Sequence, residues 1–162
     1  MEIKRLSLTE LDSIHALEQE SYPADEAASY ESLKYRLEYA PEYFLGGFNA
    51  DQELVGFVCG TCTDQNELSH DTMSTHVQGG RYLCIHSVVI APTQRRRKLA
   101  TVLLRHYIKE TLPHVDKLFL ISKAHLISLY ESVGFRVVRK SPVVHGVDDW
   151  FEMEYDCLAE RE

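Results

Sequence analysis

Residues 82–100, YLCIHSVVIAPTQRRRKLA, decide the fold. Tyr82 to Ile90 is the most strand-like run in the chain, rich in β-branched and aromatic residues, and Pro92 stops it. Beyond the proline, Leu99, Val102, Leu103, Tyr107 and Ile108 keep helical spacing until Pro113. Between strand end and helix start stand Arg95, Arg96, Arg97 and Lys98, four of the 17 basic residues in consecutive positions. In mid-helix such a run would be a solvated face. At a helix N-terminus the macrodipole opposes each cation by about 0.3–1 kcal/mol, so basic residues gathered there call for a compensating anion, and the unpaired N–H groups of the first turn complete a phosphate cradle.

A period of two places Tyr82, Cys84, His86, Val88 and Ile90 on one face of this strand and Leu83, Ile85, Ser87 and Val89 on the other. His86 then has a thiol neighbour on its own face, on a strand that runs directly into the cradle. A ligand held by its phosphates would lay its reactive end along the strand toward His86.

Outward from this stretch, Lys117 to Ser122 reads as a strand, Leu126 to Val133 as a helix ended by Gly134, and 135–139 and 150–155 as two further strands. Upstream, Thr9 or Asp12 can cap a helix carrying Leu11, Ile14, Leu17 and Glu18 that stops near Pro23, and Ser29 opens a second helix closed by Pro41. Residues 43–50 and 53–62 pair as strands joined at Asp51-Gln52, while the polar stretch 64–80 is an excursion from the core. No linker or repeat interrupts the series. The expectation is one mixed α/β domain over residues 1–162, its central sheet flanked by helices.

Of the 162 residues 44% are hydrophobic, enough for a sizeable core, and the net charge of −8 argues against a nucleic-acid or anionic-membrane surface. The opening MEIKRLSLTELDS lacks the apolar block of a signal peptide, and no apolar run reaches the roughly 20 residues of a membrane span, so a soluble, cytoplasmic monomer is expected. Cys59 and Cys62 form a CxxC, but Cys59 sits within LVGFVCGTC and no second pair follows. They read as ordinary strand cysteines, and no metal is expected.

RRRKLA (95–100) at a helix N-terminus, followed by a strand and the helix LYESVGF (129–135), resembles the R/Q-x-x-G-x-A and Tyr-Glu-x-x-Gly-Phe motifs of the GCN5-related N-acetyltransferase (GNAT) superfamily. The stretches SYPADEAASYESLKYRLEYAPEYFLGGF and STHVQGGRYLCIHSVVIAP are similar, more narrowly, to the arylalkylamine N-acetyltransferase type, including fungal polyamine-acetylating relatives.

The resemblance implies a GNAT fold and acetyl-CoA as cosubstrate for transfer to a small arylalkylamine or polyamine. It implies that Val88, Val89 and Ile90 hold the pantetheine through the backbone and that Arg95, Arg96, Arg97, Lys98, Leu99 and Ala100 surround the pyrophosphate. His86 corresponds to a histidine that relays a proton from the amine, directly or through water, and Tyr130 to the tyrosine that protonates the departing thiolate. Ser21 to Ala28 would be the loop completing the amine pocket, with Tyr22, Pro23, Cys84 and Trp150 as walls and the acids Asp25, Glu26, Glu31, Asp148 and Asp149 near the entrance. The chain departs from the pattern twice: Lys98 stands where the cradle has glycine, and Cys84 where animal members carry a second histidine. A protein N-terminal acetyltransferase and a non-catalytic acyl-CoA-binding module are the alternatives.

Overall fold

The computed structural model describes residues 1–142 and 146–161, and of Arg95, Arg96 and Arg97 the backbone only. Seven strands form one sheet in the order β1-β2-β3-β4-β5-β7-β6, namely β1 (Glu2–Arg5), β2 (Phe44–Phe48), β3 (Leu54–Thr63), β4 (Tyr82–Ile90), β5 (Lys117–Ser122), β6 (Arg136–Lys140) and β7 (Phe151–Asp156). All neighbours are antiparallel except β4 and β5, which are parallel and joined through the helix α4 (Leu99–Thr111).

Alternation along β3 splits the core into two layers. Phe57 and Cys59 face α1 (Leu11–Ser21) and α2 (Tyr30–Tyr39), packing with Ile14, Leu33, Leu37 and Phe44, whereas Val58 and Cys62 face α4 and meet Leu103, Leu104 and Tyr107. Each such side chain contributes about 1.5–3 kcal/mol by leaving water. The cysteines of the CxxC therefore lie on opposite faces, both free and buried, as strand residues three apart must.

β4 departs from simple alternation. Its register against β3 runs Val58↔Val88, Cys59↔Ser87, then Gly60↔Ile85, leaving His86 as an extra residue. This β-bulge reverses the facing of all that follows. Val88 and Ile90 pack with Leu83 and Ile85 in the α4 layer, and Val89 joins the α1 and α2 layer, so the expectation that Val88 and Ile90 share a face with Cys84 and His86 is corrected. Gly60 opposite the bulge has no room for a side chain: a Cβ there would lie 2.6 Å from the Cys84 carbonyl oxygen.

A second irregularity opens the sheet. β4 and β5 pair only at Tyr82↔Lys117, Leu83↔Leu118 and Cys84↔Phe119, although β4 continues to Ile90. β5 stays with β7 as far as Ser122↔Phe151, so the two halves of the sheet diverge and, among the described residues, no strand pairs with β4 past Cys84 on that edge.

Most elements follow the sequence expectations within a residue or two. Neither Thr9 nor Asp12 caps the first helix: α1 begins at Leu11, directly after a 3-10 turn at Leu8–Glu10 where the Ser7 backbone N–H and hydroxyl both donate to Glu10. Ser29 caps α2 by accepting from the Ser32 N–H at 3.1 Å. The polar excursion holds a short α3 (His70–Ser74), α5 spans Ile127–Ser132, and a short α6 (Cys157–Arg161) follows β7. Gly134 after α5 adopts φ +108°, and a Cβ there would lie 2.7 Å from the Tyr155 ring, which explains glycine in the Tyr-Glu-x-x-Gly-Phe motif. Among the described residues no helix is long and apolar enough to cross a membrane.

Candidate active site

A cleft of about 430 Å³ fills the space where β4 and β5 part. β4 contributes Ile85 to Val88, β5 and its end contribute Leu120 to Lys123, α5 contributes Tyr130, the end of α1 and the loop to α2 contribute Glu18 and Ser21 to Ser29, and Trp150 stands just before β7. His86, Tyr130, Tyr22, Pro23, Val88 and Trp150, all expected from sequence, converge here.

The bulge turns the His86 imidazole toward β3, where its Nε2 lies 2.7 Å from the Thr61 hydroxyl. Thr61 is buried, so this contact fixes the ring's plane. Tyr130 enters from α5 with its ring edge-on to Phe135 and is 7% exposed. Burial alone raises its pKa above that of an ordinary phenol, keeping it protonated. Tyr22 reaches across from the α1–α2 loop and donates its hydroxyl to the Val88 carbonyl at 3.3 Å, and its pKa too is raised by burial.

The remaining expected residues fall elsewhere. Cys84 is not among the cleft residues: fully buried one step before the strands part, it packs with Leu68 and Phe119, and burial pushes its thiol up to about 12. Its side chain packs behind the fork rather than along the cleft. Val89 and Ile90 bury their side chains in the two core layers, leaving the backbone as the only surface for a ligand. Arg95, Arg96 and Arg97 form the end of the 3-10 turn Pro92–Arg97, and their side chains lie outside the described residues. Lys98 takes φ 57°, ψ 24°, the left-handed conformation for which glycine is the usual choice. Leu99 and Ala100 are half-buried against the α4 core layer.

The acids near the entrance divide. Lys123 binds Glu26 at 2.7 Å and Asp148 at 3.1 Å, with its ammonium 5.4 Å from the centre of the Trp150 ring, and the hydrogen bond from Lys123 to Glu26 raises the lysine's pKa. Asp149 pairs with Lys140 at 3.2 Å, Asp25 lines the cleft, and Glu31 borders a separate depression beside Tyr35. The acid that sequence reading left in the core pattern, Glu18, lines the cleft instead. Thr61, Glu18 and Lys123 were not singled out because each looks like an ordinary member of its element. Among the described residues no group of three or more His, Cys, Asp or Glu is arranged to hold a metal.

The acetyltransferase (GNAT) family model matches residues 11–135. The chain belongs to this family. Serotonin N-acetyltransferase of Mesocricetus auratus is 28% identical over 126 residues, 76% of this chain and 60% of the relative. The chain thus spans about three fifths of the length of the curated relatives it matches. Among solved structures, the GphF GNAT-like decarboxylase in complex with isobutyryl-CoA superposes with a TM-score of 0.81 at 15% identity, covering 97% of this chain and 100% of that one. The ribosomal-protein-S18-alanine N-acetyltransferase from Escherichia coli superposes with a TM-score of 0.71 at 21% identity, covering 96% and 93%. The family match and these likenesses establish the GNAT fold.

Proposed function

We propose that this GNAT protein transfers the acetyl group of acetyl-CoA directly to the primary amine of a small arylalkylamine or polyamine, with His86 on the proton path from the amine and Tyr130 as donor to the departing thiolate. The observation that carries the reading is the convergence of His86 and Tyr130 on the single cleft opened by the β4–β5 fork, from strands and helices far apart in sequence.

The cosubstrate fits the fork. Among the described residues no strand pairs with the β5-side edge of β4 past Cys84, so an extended pantetheine arm can lie along it. The basic turn at Arg95 to Lys98, with the α4 N-terminus, supplies cations and N–H groups for the pyrophosphate. The isobutyryl-CoA complex of the GphF relative and the name of the serotonin-acetylating relative support an acyl-CoA donor and an amine acceptor.

The chemistry assigns the roles. An alkylamine resembles lysine, with a pKa of about 10.4, so near neutral pH about one molecule in a thousand is the free base and deprotonation costs roughly 4 kcal/mol. An imidazole suits that proton transfer, and the Thr61 hydroxyl on Nε2 selects its orientation. The nitrogen lone pair attacks the thioester carbon, β4 N–H groups stabilise the oxyanion, and the collapsing intermediate expels the thiolate. Burial keeps the Tyr130 hydroxyl protonated in the resting site, so it can give its proton to the thiolate as that leaves.

Initial rates against both substrates test the reading. Intersecting patterns are expected for a ternary complex, with kcat/KM reduced by about 10² or more in His86→Gln and with Arg95→Ala or Arg97→Ala raising the KM for acetyl-CoA but not for the amine. Parallel patterns, or an unaltered His86→Gln, would refute it.

A further inference from the structure

Glu18 is out of keeping with its surroundings. It is 2% exposed, on the last turn of α1, and lines the cleft. Its Oε2 accepts the Ala28 N–H at 2.8 Å, which fixes the carboxylate against the returning loop. Its Oε1 is buried with no hydrogen-bond partner among the described residues. A buried carboxylate with one oxygen unpaired and no cation beside it is costly unless something in the functional cycle compensates for it.

Among the described residues no cation pairs with it. Lys123, the lysine of the same cleft, is committed to Glu26 and Asp148. Arg36 of α2 and His15 of α1 act on Glu18 only at a distance, neither within 4 Å as an ion pair, and the Arg36 guanidinium lies 3.9 Å from Cys59 Sγ. The other groups facing it are Tyr22, Ser87 and Cys59, none of them cationic. Burial, the largest influence, raises its pKa, while the Ala28 N–H and the Ser87 hydroxyl pull it back. Ser87 adjoins His86, so Glu18 stands beside the stretch of β4 that carries His86.

We infer that Glu18 is the specificity-determining counter-charge for the acceptor, its free carboxylate oxygen receiving an ammonium group of an alkylamine or diamine that arrives as a cation. The inference rests on the amine-acetyltransferase reading and deepens it. Neutral compounds of the same shape leave the carboxylate unpaired and are excluded. For a monoamine the anchored ammonium is the reacting nitrogen before it loses its proton; for a diamine the second ammonium can remain on Glu18 through the reaction.

The test compares phenethylamine and putrescine with their alcohol counterparts, 2-phenylethanol and 1,4-butanediol, in wild type and Glu18→Gln, which keeps an oxygen for the Ala28 N–H. The KM of each amine should rise by about tenfold or more, the inhibition constants of the alcohols should fall as the unpaired charge is removed, and the KM for acetyl-CoA should hold. The Tm of Glu18→Gln should equal or exceed that of wild type, since an uncompensated charge is removed. Equal losses for amines and alcohols, or a variant that is less stable or fails to fold, would make Glu18 a strap for the loop and overturn the inference. Unchanged amine constants would overturn it while leaving the amine reading intact. A wild-type protein that acetylates neither amine would refute both.

Discussion

Tyr130→Phe removes one oxygen and leaves the ring against Phe135, with centroids 6.0 Å apart, and 7% exposed. Among the described residues that hydroxyl makes no hydrogen bond, and burial alone accounts for its raised pKa. Stability and activity should therefore move apart. A hydroxyl half-removed from water without a partner contributes nothing to the fold and costs up to about 1 kcal/mol, so the phenylalanine variant should unfold at the same temperature as wild type or a few degrees higher. A general acid, in contrast, is worth about 10²–10⁴ in rate, or roughly 2.7–5.4 kcal/mol of transition-state stabilisation. Thiol release from acetyl-CoA at saturating amine, with thermal unfolding on the same samples, checks both. A kcat within twofold of wild type would leave Tyr130 as a packing residue. A fall in Tm alongside the fall in kcat would mean that the hydroxyl holds the helix, and the argument from its isolation would be wrong.

Thr61→Val keeps the shape but removes the hydroxyl that meets His86 Nε2, so kcat/KM should drop about tenfold at a cost of about 1 kcal/mol in stability; an unchanged kcat/KM would show that the 2.7 Å contact is incidental. Lys123→Met strands the Glu26 carboxylate, whose side chain is 3% exposed, and should destabilise by about 3 kcal/mol while raising the amine KM through the Ser21–Ala28 loop, both measurable by denaturant titration and steady-state kinetics. Lys98→Gly relieves a left-handed residue at about 1–2 kcal/mol against a glycine entropy cost of about 0.5–1 kcal/mol, so its Tm should rise slightly as its KM for acetyl-CoA rises through the lost cation. Glu18 supplies a pH test of stability: its pKa is raised by burial, so the folded state holds that proton more tightly and the resulting stability, present below the unfolded carboxyl value, is lost as pH climbs through the folded one. The advantage of Glu18→Gln over wild type should be absent in mild acid and present at neutrality, and a constant gap would contradict the direction of the shift.

Sequence periodicity was sufficient for elements that bury a continuous apolar face, such as β4 and α4, and for ends set by proline or glycine, such as Pro41 and Gly134. β1 escaped because EIKR is a short polar edge strand with little alternation to detect, and α3 and α6 because five residues span barely more than one turn. The bulge escaped for a different reason: an inserted residue is a property of the pairing with β3, and the run YLCIHSVVI alternates plausibly without it. That one displacement separated Val88 and Ile90 from His86. Motif residues of the site were legible because their chemistry is unusual for their setting. Thr61 and Glu18 were not, since a threonine in a strand and a glutamate on a helix become informative only when burial and partners are known.

The central claim is amine acetylation at the fork between β4 and β5. Its most direct measurement is mass-spectrometric detection of product after incubation with acetyl-CoA and, separately, tryptamine, phenethylamine, putrescine, spermidine and a lysine-containing peptide. The account predicts enzyme-dependent N-acetylation of one or more of the four small amines, with stoichiometric CoA release and little or no product from the peptide. Acetylation of the peptide alone, or CoA release without any acetylated amine, would contradict it.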